Sequence, residues 1–237
     1  MQLFYQQDIN TGLRQISFNK EESRHIVKVL RKINGDILSI TDGKGILFSA
    51  EIIQAHDKKC IANIKSWEAK PKTWNYHLHI AIAPTKLNDR FEWFLEKATE
   101  IGIDEITPIF CDHSERRQLK AERMEKVITS AMKQSLKFHK PVLNDPMKFN
   151  DFIQKKDWNL GLIAHCEDDV KNNMRAHFPF HEKIMILIGP EGDFSLSEIN
   201  AALKNGIKPI TLGKSRLRTE TAGIVACNYV SVLNEIL

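Results

Sequence analysis

The period of the apolar positions changes near residue 70. Before it, DILSITD (36–42), GILFSAEII (45–53) and KCIANIKSW (59–67) alternate apolar and polar residues, the pattern of strands with one buried face. Asp42-Gly43-Lys44-Gly45 lies between the first two and predicts a hairpin turn. HIVKVLR (25–31) predicts a short helix beside these strands, and together they predict a small barrel. The stretch 68–73, with Pro71 and exposed charge, interrupts the alternation and marks a domain boundary, giving domains 1–70 and 74–237.

Beyond the boundary, apolar runs of strand length alternate with helical periods. HLHIAIAP (77–84), EITPIF (105–110), GLIAHC (161–166), IMILIGP (184–190) and IKPITLG (207–213) predict strands. FEWFLEKATEIG (91–102) predicts a helix that carries Phe91, Phe94, Leu95, Ala98 and Ile101 on one face and stops at Gly102. An amphipathic helix is predicted over 119–138. Ser195 and Glu198 form an S-x-x-E capping box opening a helix that ends near Gly206. A final helix is predicted over 219–236, with Thr219 or Thr221 as its cap. This alternation predicts an α/β domain with a parallel sheet covered on both faces.

Composition narrows the class. The chain has 237 residues, 42% hydrophobic and 27% charged, enough for a sizeable core. It has no apolar run of membrane-spanning length, and MQLFYQQDIN lacks the order of a signal peptide, so a cytoplasmic protein is expected. Cys60, Cys111, Cys166 and Cys227 are scattered with no C-x-x-C, which argues against a zinc site or a disulfide framework and predicts buried free thiols. His77 and His79 share a strand face without a third ligand at suitable spacing, so no metal is expected. The net charge of +4 is unevenly spread: 115–140 holds eight Lys/Arg against three Asp/Glu, and 1–70 holds eleven against eight. Such regions suit a polyanion partner or a solvated helix face.

Two segments carry candidate chemistry. In Ile188-Gly189-Pro190-Glu191-Gly192-Asp193-Phe194 an apolar strand runs directly into a glycine-hinged turn, where ligands of open α/β sheets bind. In Leu212-Gly213-Lys214-Ser215-Arg216-Leu217-Arg218-Thr219-Glu220-Thr221-Ala222 a second strand ends at glycine, and a loop bearing arginine enters a helix N-terminus, whose N–H groups suit a carboxylate or carbonyl oxygen. G-x-x-x-x-G-K-[ST], H-E-x-x-H and G-x-S-x-G are absent, which weakens NTPase and hydrolase readings.

LIGPEGDFSLSEI (187–199) followed by LGKSRLRTETA (212–222) resembles the SPOUT class of RNA methyltransferases, and most closely the ribosomal RNA small-subunit methyltransferase E family. PTKLNDRFEWFLEKATEIGIDEITPIF (84–110), SERR (114–117), HIVKVLR and DGKG are similar too, so the resemblance spans nearly the whole chain. It implies a SPOUT-type α/β domain with a C-terminal trefoil knot, preceded by a PUA-like β-barrel that helps bind RNA. It implies S-adenosylmethionine as cofactor, a homodimer, and methylation of N3 of one uridine in 16S rRNA of the small ribosomal subunit. Carried over by position, Ile188, Gly189, Pro190, Glu191 and Gly192 form one cofactor loop. Leu212, Gly213, Leu217, Arg218, Thr219 and Ala222 form the other, with Ala164 and His165 closing the adenosine side. Asp193 stands where glycine is common, and Cys166 where an acidic residue often follows the histidine.

N3 of uridine is a poor nucleophile until it loses its proton. Arg218 is the expected stabiliser of the resulting anion, and Glu220 a second catalytic candidate, as base or as a helix-start carboxylate. Expected phosphate contacts are Arg24, Lys28, Arg31 and Lys32 in the barrel, and Arg116, Arg117, Lys120 and Arg123 in the second domain. Phe4 and Tyr5 are expected to pack in the barrel, with stacking on RNA as the other reading. Competing functions are a ribose 2′-O-methyltransferase of the same fold class and a non-catalytic RNA-binding assembly factor.

Overall fold

The computed structural model describes residues 1–167, 171–177 and 183–235. The chain folds as two compact units, Met1–Lys72 with Met132–Lys140, and Thr73–Ala131 with Pro141–Leu237.

The first unit contains β1 (Leu3–Tyr5), β2 (Gln15–Ser17), α1 (Lys20–Arg24), a π-helical turn (His25–Val29), β3 (Ile37–Thr41), β4 (Ile46–Gln54) and β5 (Ile61–Ala69). The sheet order is β1-β3-β4-β5-β2, with β1 parallel to β3 and the other pairs antiparallel. Alternation buries Leu38, Ile40, Phe48, Ala50 and Ile52 on one face. Phe4 on one edge strand and Phe18 just beyond the other meet edge to face at 5.9 Å, so the sheet curls round its core. Phe4 is therefore a core residue, and Tyr5 lies under the Lys140 ammonium at 5.4 Å. The hairpin turn is closed by Asp42 Oδ1, which accepts from Lys44 N at 2.8 Å and Ile46 N at 3.0 Å.

The helix expected over 25–31 begins earlier. Asn19 caps it by accepting from Glu22 N at 2.9 Å, and after five α-helical residues the chain widens, Leu30 N donating to His25 O. The segment 132–140 belongs to this unit because Gly45 N donates to Phe138 O, Lys140 N to Gly43 O, and Lys133 pairs with Glu22 at 2.9 Å.

The second unit contains β6 (His77–Ile82), α2 (Asn88–Ile101), β7 (Glu105–Phe110), α3 (Ala121–Gln134), β8 (Val142–Leu143), β9 (Met147–Lys148), α4 (Phe149–Ile153), β10 (Leu160–Ala164), β11 (Asn172–Asn173), β12 (Lys183–Ile188), α5 (Leu196–Lys204), β13 (Lys208–Thr211) and α6 (Thr219–Glu235). The helix expected over 119–138 is thus shorter at both ends. Ile236 of the expected last helix lies outside the described residues. The sheet order is β11-β13-β10-β12-β6-β7-β8, and every pair is parallel. Leu78, Ile80, Ile82, Ile184 and Ile186 pack with Phe91, Phe94 and Val230 of α2 and α6. Ala81, Ile163, Met185 and Leu187 pack with Phe149, Phe152 and Ile199 of α4 and α5. Both faces are covered, which is why the strands read as continuous apolar runs.

β13 lies between β10 and β11, inside the excursion that joins β10 to β12. After β13 the chain returns as α6 against α2, β6 and β12.

Candidate active site

β10, β12 and β13 end side by side, and the chain after each forms one wall of a pair of adjoining cavities. The larger, about 730 Å³, is lined by Ala164, His165, Gly192, Leu212, Gly213, Leu217 and Ala222 among others. The smaller, about 270 Å³, is lined by Ile188, Gly189, Pro190, Glu191, Leu217, Arg218 and Thr219 among others. Ala164, Cys166, Asp193, Arg216, Leu217 and Ala222 line both. All thirteen residues expected to hold the cofactor thus come together, although the chain separates the first from the last by 58 positions.

Local chemistry explains the shape. Gly213 has φ of +132°, a backbone that side chains with a Cβ rarely adopt, and so turns the chain sharply off β13. At Gly189 a Cβ would stand 3.1 Å from the Phe194 ring, so glycine lets that ring fold closely under the loop. Ser195 and Glu198 make the expected capping box, and Glu198 Oε1 also accepts from Asp112 N at 3.0 Å. His113 Nδ1 lies 3.0 Å from the carbonyls of Gly192 and Asp193. The 189–195 loop is thereby tied to the loop that follows β7. Arg218, not a threonine, precedes the first residue of α6, and its carbonyl accepts from Ala222 N at 2.8 Å.

The two departures from the family pattern are joined. Asp193 holds a left-handed backbone, φ +63°, a conformation that glycine adopts without strain. Its carboxylate accepts from Phe194 N at 2.8 Å and from Cys166 N at 2.6 Å, so the side chain ties the loop after β12 to the loop after β10. Cys60, Cys111 and Cys227 are buried as expected, but Cys166 is exposed because β10 ends two residues before it and the chain opens onto the cavity. Partial desolvation of its sulfur, with the Asp193 carboxylate alongside, pushes the Cys166 thiol up.

A third recess, about 660 Å³, adjoins the cavities and shares Arg216, Leu217 and Arg218 with them. Its other walls are Asp89, Arg90, Trp93, Glu220 and Thr221. Glu220 is only 5% exposed, Arg90 Nε lies 3.9 Å from its Oε1, and its Oε2 has no hydrogen-bond partner among the described residues. Sequence reasoning singled out Arg218 and Glu220 here but missed Arg90 and Trp93. They sit on the polar side of an amphipathic helix, where nothing local distinguishes a binding residue from a solvated one.

The expected RNA contacts fall into two groups. Arg24, Lys28 and Arg31 are exposed and Lys32 is half-buried in the first unit, with Lys28 4.0 Å from Asp57. In the second unit Arg117 and Lys120 are exposed. Arg116 is engaged by the carbonyls of Gln118 at 2.8 Å and Lys86 at 3.4 Å, and Arg123 by Glu92 at 2.9 Å. His79 is buried, with Nδ1 3.1 Å from Glu105 and Nε2 2.8 Å from Thr107, away from the strand ends that form the cavities. Among the described residues, no group of three or more His, Cys, Asp or Glu is placed to hold a metal.

Comparison with known proteins agrees with this geometry. Residues 72–231 match the family model of an RNA methyltransferase domain, and residues 18–65 that of an RNA methyltransferase PUA domain. The chain is 31% identical to ribosomal RNA small subunit methyltransferase E of Buchnera aphidicola, over 93% of this chain and 89% of that protein. It is 30% identical to the protein of the same name from Rickettsia conorii, over 95% and 94%. A probable rRNA-methyltransferase of Porphyromonas gingivalis superimposes with a TM-score of 0.93 at 42% identity, covering 100% of this chain and 99% of that one. A methyltransferase of Legionella pneumophila, solved with the bound cofactor SAM, superimposes with a TM-score of 0.86 at 26% identity over 97% and 96%. The curled N-terminal sheet is the PUA-like barrel, the parallel α/β unit is the SPOUT domain, and the chain belongs to the ribosomal RNA small subunit methyltransferase E family.

Proposed function

We propose that this protein transfers a methyl group from S-adenosylmethionine to N3 of a uridine in 16S rRNA of the small ribosomal subunit. The observation that carries the reading is the convergence of three strand ends on adjoining cavities of ligand size, with Arg218 lining both the smaller cavity and the neighbouring recess. The apolar walls Ile188, Leu212, Leu217 and Ala222, beside the first turn of α6, suit a nucleoside with a polar amino-acid tail. Such a donor supplies a methyl group on a positively charged sulfur, open to direct displacement. The protein's share is to hold the acceptor nitrogen in line and to favour its deprotonated form.

Arg218 does the latter. Its guanidinium is a planar cation and stands where the donor's cavity meets the recess. The exposed cations Arg24, Lys28, Arg31, Arg117 and Lys120 hold the RNA backbone. The active form is a cytoplasmic homodimer. Among the described residues no helix is long and apolar enough to cross a membrane.

The test is nucleoside analysis of 16S rRNA from cells lacking the protein, and after its restoration. A base-methylated uridine that disappears and returns supports the reading. A ribose methyl that does so assigns the 2′-O reaction instead, and an unchanged profile overturns both. Arg218→Ala is expected to abolish methylation while S-adenosylmethionine still binds.

A further inference from the structure

We propose, building on that reading, that the recess walled by Arg90, Trp93, Arg218 and Glu220 receives the target uracil, with Trp93 as its stacking platform and Arg90 as the residue that positions the Glu220 carboxylate to take the N3 proton. The recess opens beside the donor's cavity and shares Arg216, Leu217 and Arg218 with it, so a base lodged there lies next to the methyl group. Trp93 is 45% exposed on the first half of α2, a large aromatic face left in solvent at the mouth of a cavity. A base turned out of RNA loses its stacking neighbours, and an aromatic side chain replaces them.

Glu220 supplies the second, independent observation. A carboxylate almost wholly withdrawn from water needs its lone pairs filled. Here Oε1 has only Arg90 Nε, at 3.9 Å, and Oε2 has no hydrogen-bond partner among the described residues, yet the side chain lines the recess. An N–H donor from a ligand completes it, and the uracil N3–H is such a donor. On transfer the N3–H bond breaks and its proton passes to Glu220. The freed N3 electron pair forms the bond to the methyl carbon, and the carbon–sulfur pair remains on sulfur. Arg90 aims the carboxylate before the base arrives.

The experiment compares wild type, Trp93→Phe, Trp93→Leu, Arg90→Lys, Arg90→Met and Glu220→Gln on small ribosomal subunits carrying unmethylated 16S rRNA. It reads kcat, KM for the subunit, S-adenosylmethionine affinity by calorimetry, and oligomeric state by light scattering. Base stacking on an aromatic residue predicts that Trp93→Leu lowers kcat/KM by roughly 10- to 100-fold while Trp93→Phe keeps most of it, with donor affinity and oligomeric state unchanged. Arg90→Met is expected to lower kcat with KM for the subunit and donor affinity little changed, because the carboxylate loses the partner that aims it, and Arg90→Lys to restore most of it. Glu220→Gln is expected to lower kcat with little change in donor affinity.

Wild-type turnover with Trp93→Leu equal to Trp93→Phe overturns the stacking role. Loss of activity together with loss of the oligomer also overturns it, in favour of subunit packing. An unchanged kcat in Arg90→Met, no rescue by Arg90→Lys, or full activity in Glu220→Gln overturns the proton path. A wild type that methylates no uracil defeats the parent reading instead, and is seen before any variant is made.

Discussion

Replacing Glu198 by alanine tests how the 189–195 loop is held. Glu198 is 3% exposed. Its Oε2 accepts from Ser195 N at 2.9 Å and its Oε1 from Asp112 N at 3.0 Å, while Ser195 Oγ donates to Asp112 Oδ2 at 2.6 Å. Alanine keeps the serine contacts but leaves two backbone N–H groups without their acceptor. Hydrogen bonds to a charged group contribute roughly 1.5–3 kcal/mol each. Both donors are partly accessible, so water offsets some of the loss, and the low end of that range applies: about 3 kcal/mol for the pair. For a domain of this size each kcal/mol moves Tm by roughly 2–4 °C, so Tm is expected to fall by about 6–12 °C. Glu198→Gln keeps one acceptor oxygen and is expected to lose about half as much. Scanning calorimetry reads the stability, and titration with S-adenosylmethionine reads the loop. Affinity is expected to fall about tenfold, because the donor must then order a loop that Glu198 had already ordered. An alanine variant with wild-type Tm, or one that melts earlier yet binds the donor with full affinity, would refute the claim that this carboxylate organises the site.

Three further outcomes follow from the structure. Burial holds His79 neutral and lowers its pKa from 6.5 to about 4 despite Glu105 alongside. The unfolded chain therefore binds the extra proton first, and stability present above pH 6.5 is lost as pH falls towards 4, by about 3 kcal/mol. Urea titrations at pH 7, 5 and 4 should show this slope, and His79→Gln should flatten it. The His77 ring 3.4 Å away, together with His79 once it is protonated and with Lys183, holds Glu105 at about 2, so its own contribution persists to pH 4.5 and is lost only below it. At Gly223 a Cβ would stand 2.6 Å from the Phe94 ring and 3.0 Å from Ile82 Cδ1. Gly223→Ala is expected to destabilise by about 1–2 kcal/mol despite its better helix propensity, and adding Phe94→Leu should recover part of this in chemical denaturation. Arg117→Ala with Lys120→Ala is expected to make RNA affinity less salt-dependent, the log–log slope falling by roughly 0.7–0.9 per phosphate contact removed, as filter binding across salt would show.

Much of this fold was legible because its strands are either half-buried or wholly buried. Alternation located β3 to β5, and continuous apolar runs located β6, β7, β10, β12 and β13, each to within a few residues. The Ser195–Glu198 box and the Asp42–Gly45 turn are local devices and stood where expected. Three-residue strands such as β1 and β2 carry too few positions to show a period, and β1 gains its identity only by pairing with β3. The helical pattern of 119–138 runs on past Gln134, yet its last residues pack with the first unit, a tertiary outcome with no local signal. The glycine-hinged loops named two walls of the paired cavities. The Arg90–Glu220 approach joins residues 130 positions apart, and the Asp193–Cys166 hydrogen bond became visible only once β10 and β12 lay side by side.

The most direct measurement is calorimetric titration of the purified protein with S-adenosylmethionine, wild type beside Gly213→Val. Wild type should give a saturable signal in the range usual for enzyme substrates, roughly 1 μM to 1 mM. Valine cannot adopt the +132° φ of position 213 without strain, so the variant should remain folded but bind far more weakly. A wild type that gives no heat, or a folded Gly213→Val that binds as well as wild type, would contradict the assignment of these two loops to the methyl donor.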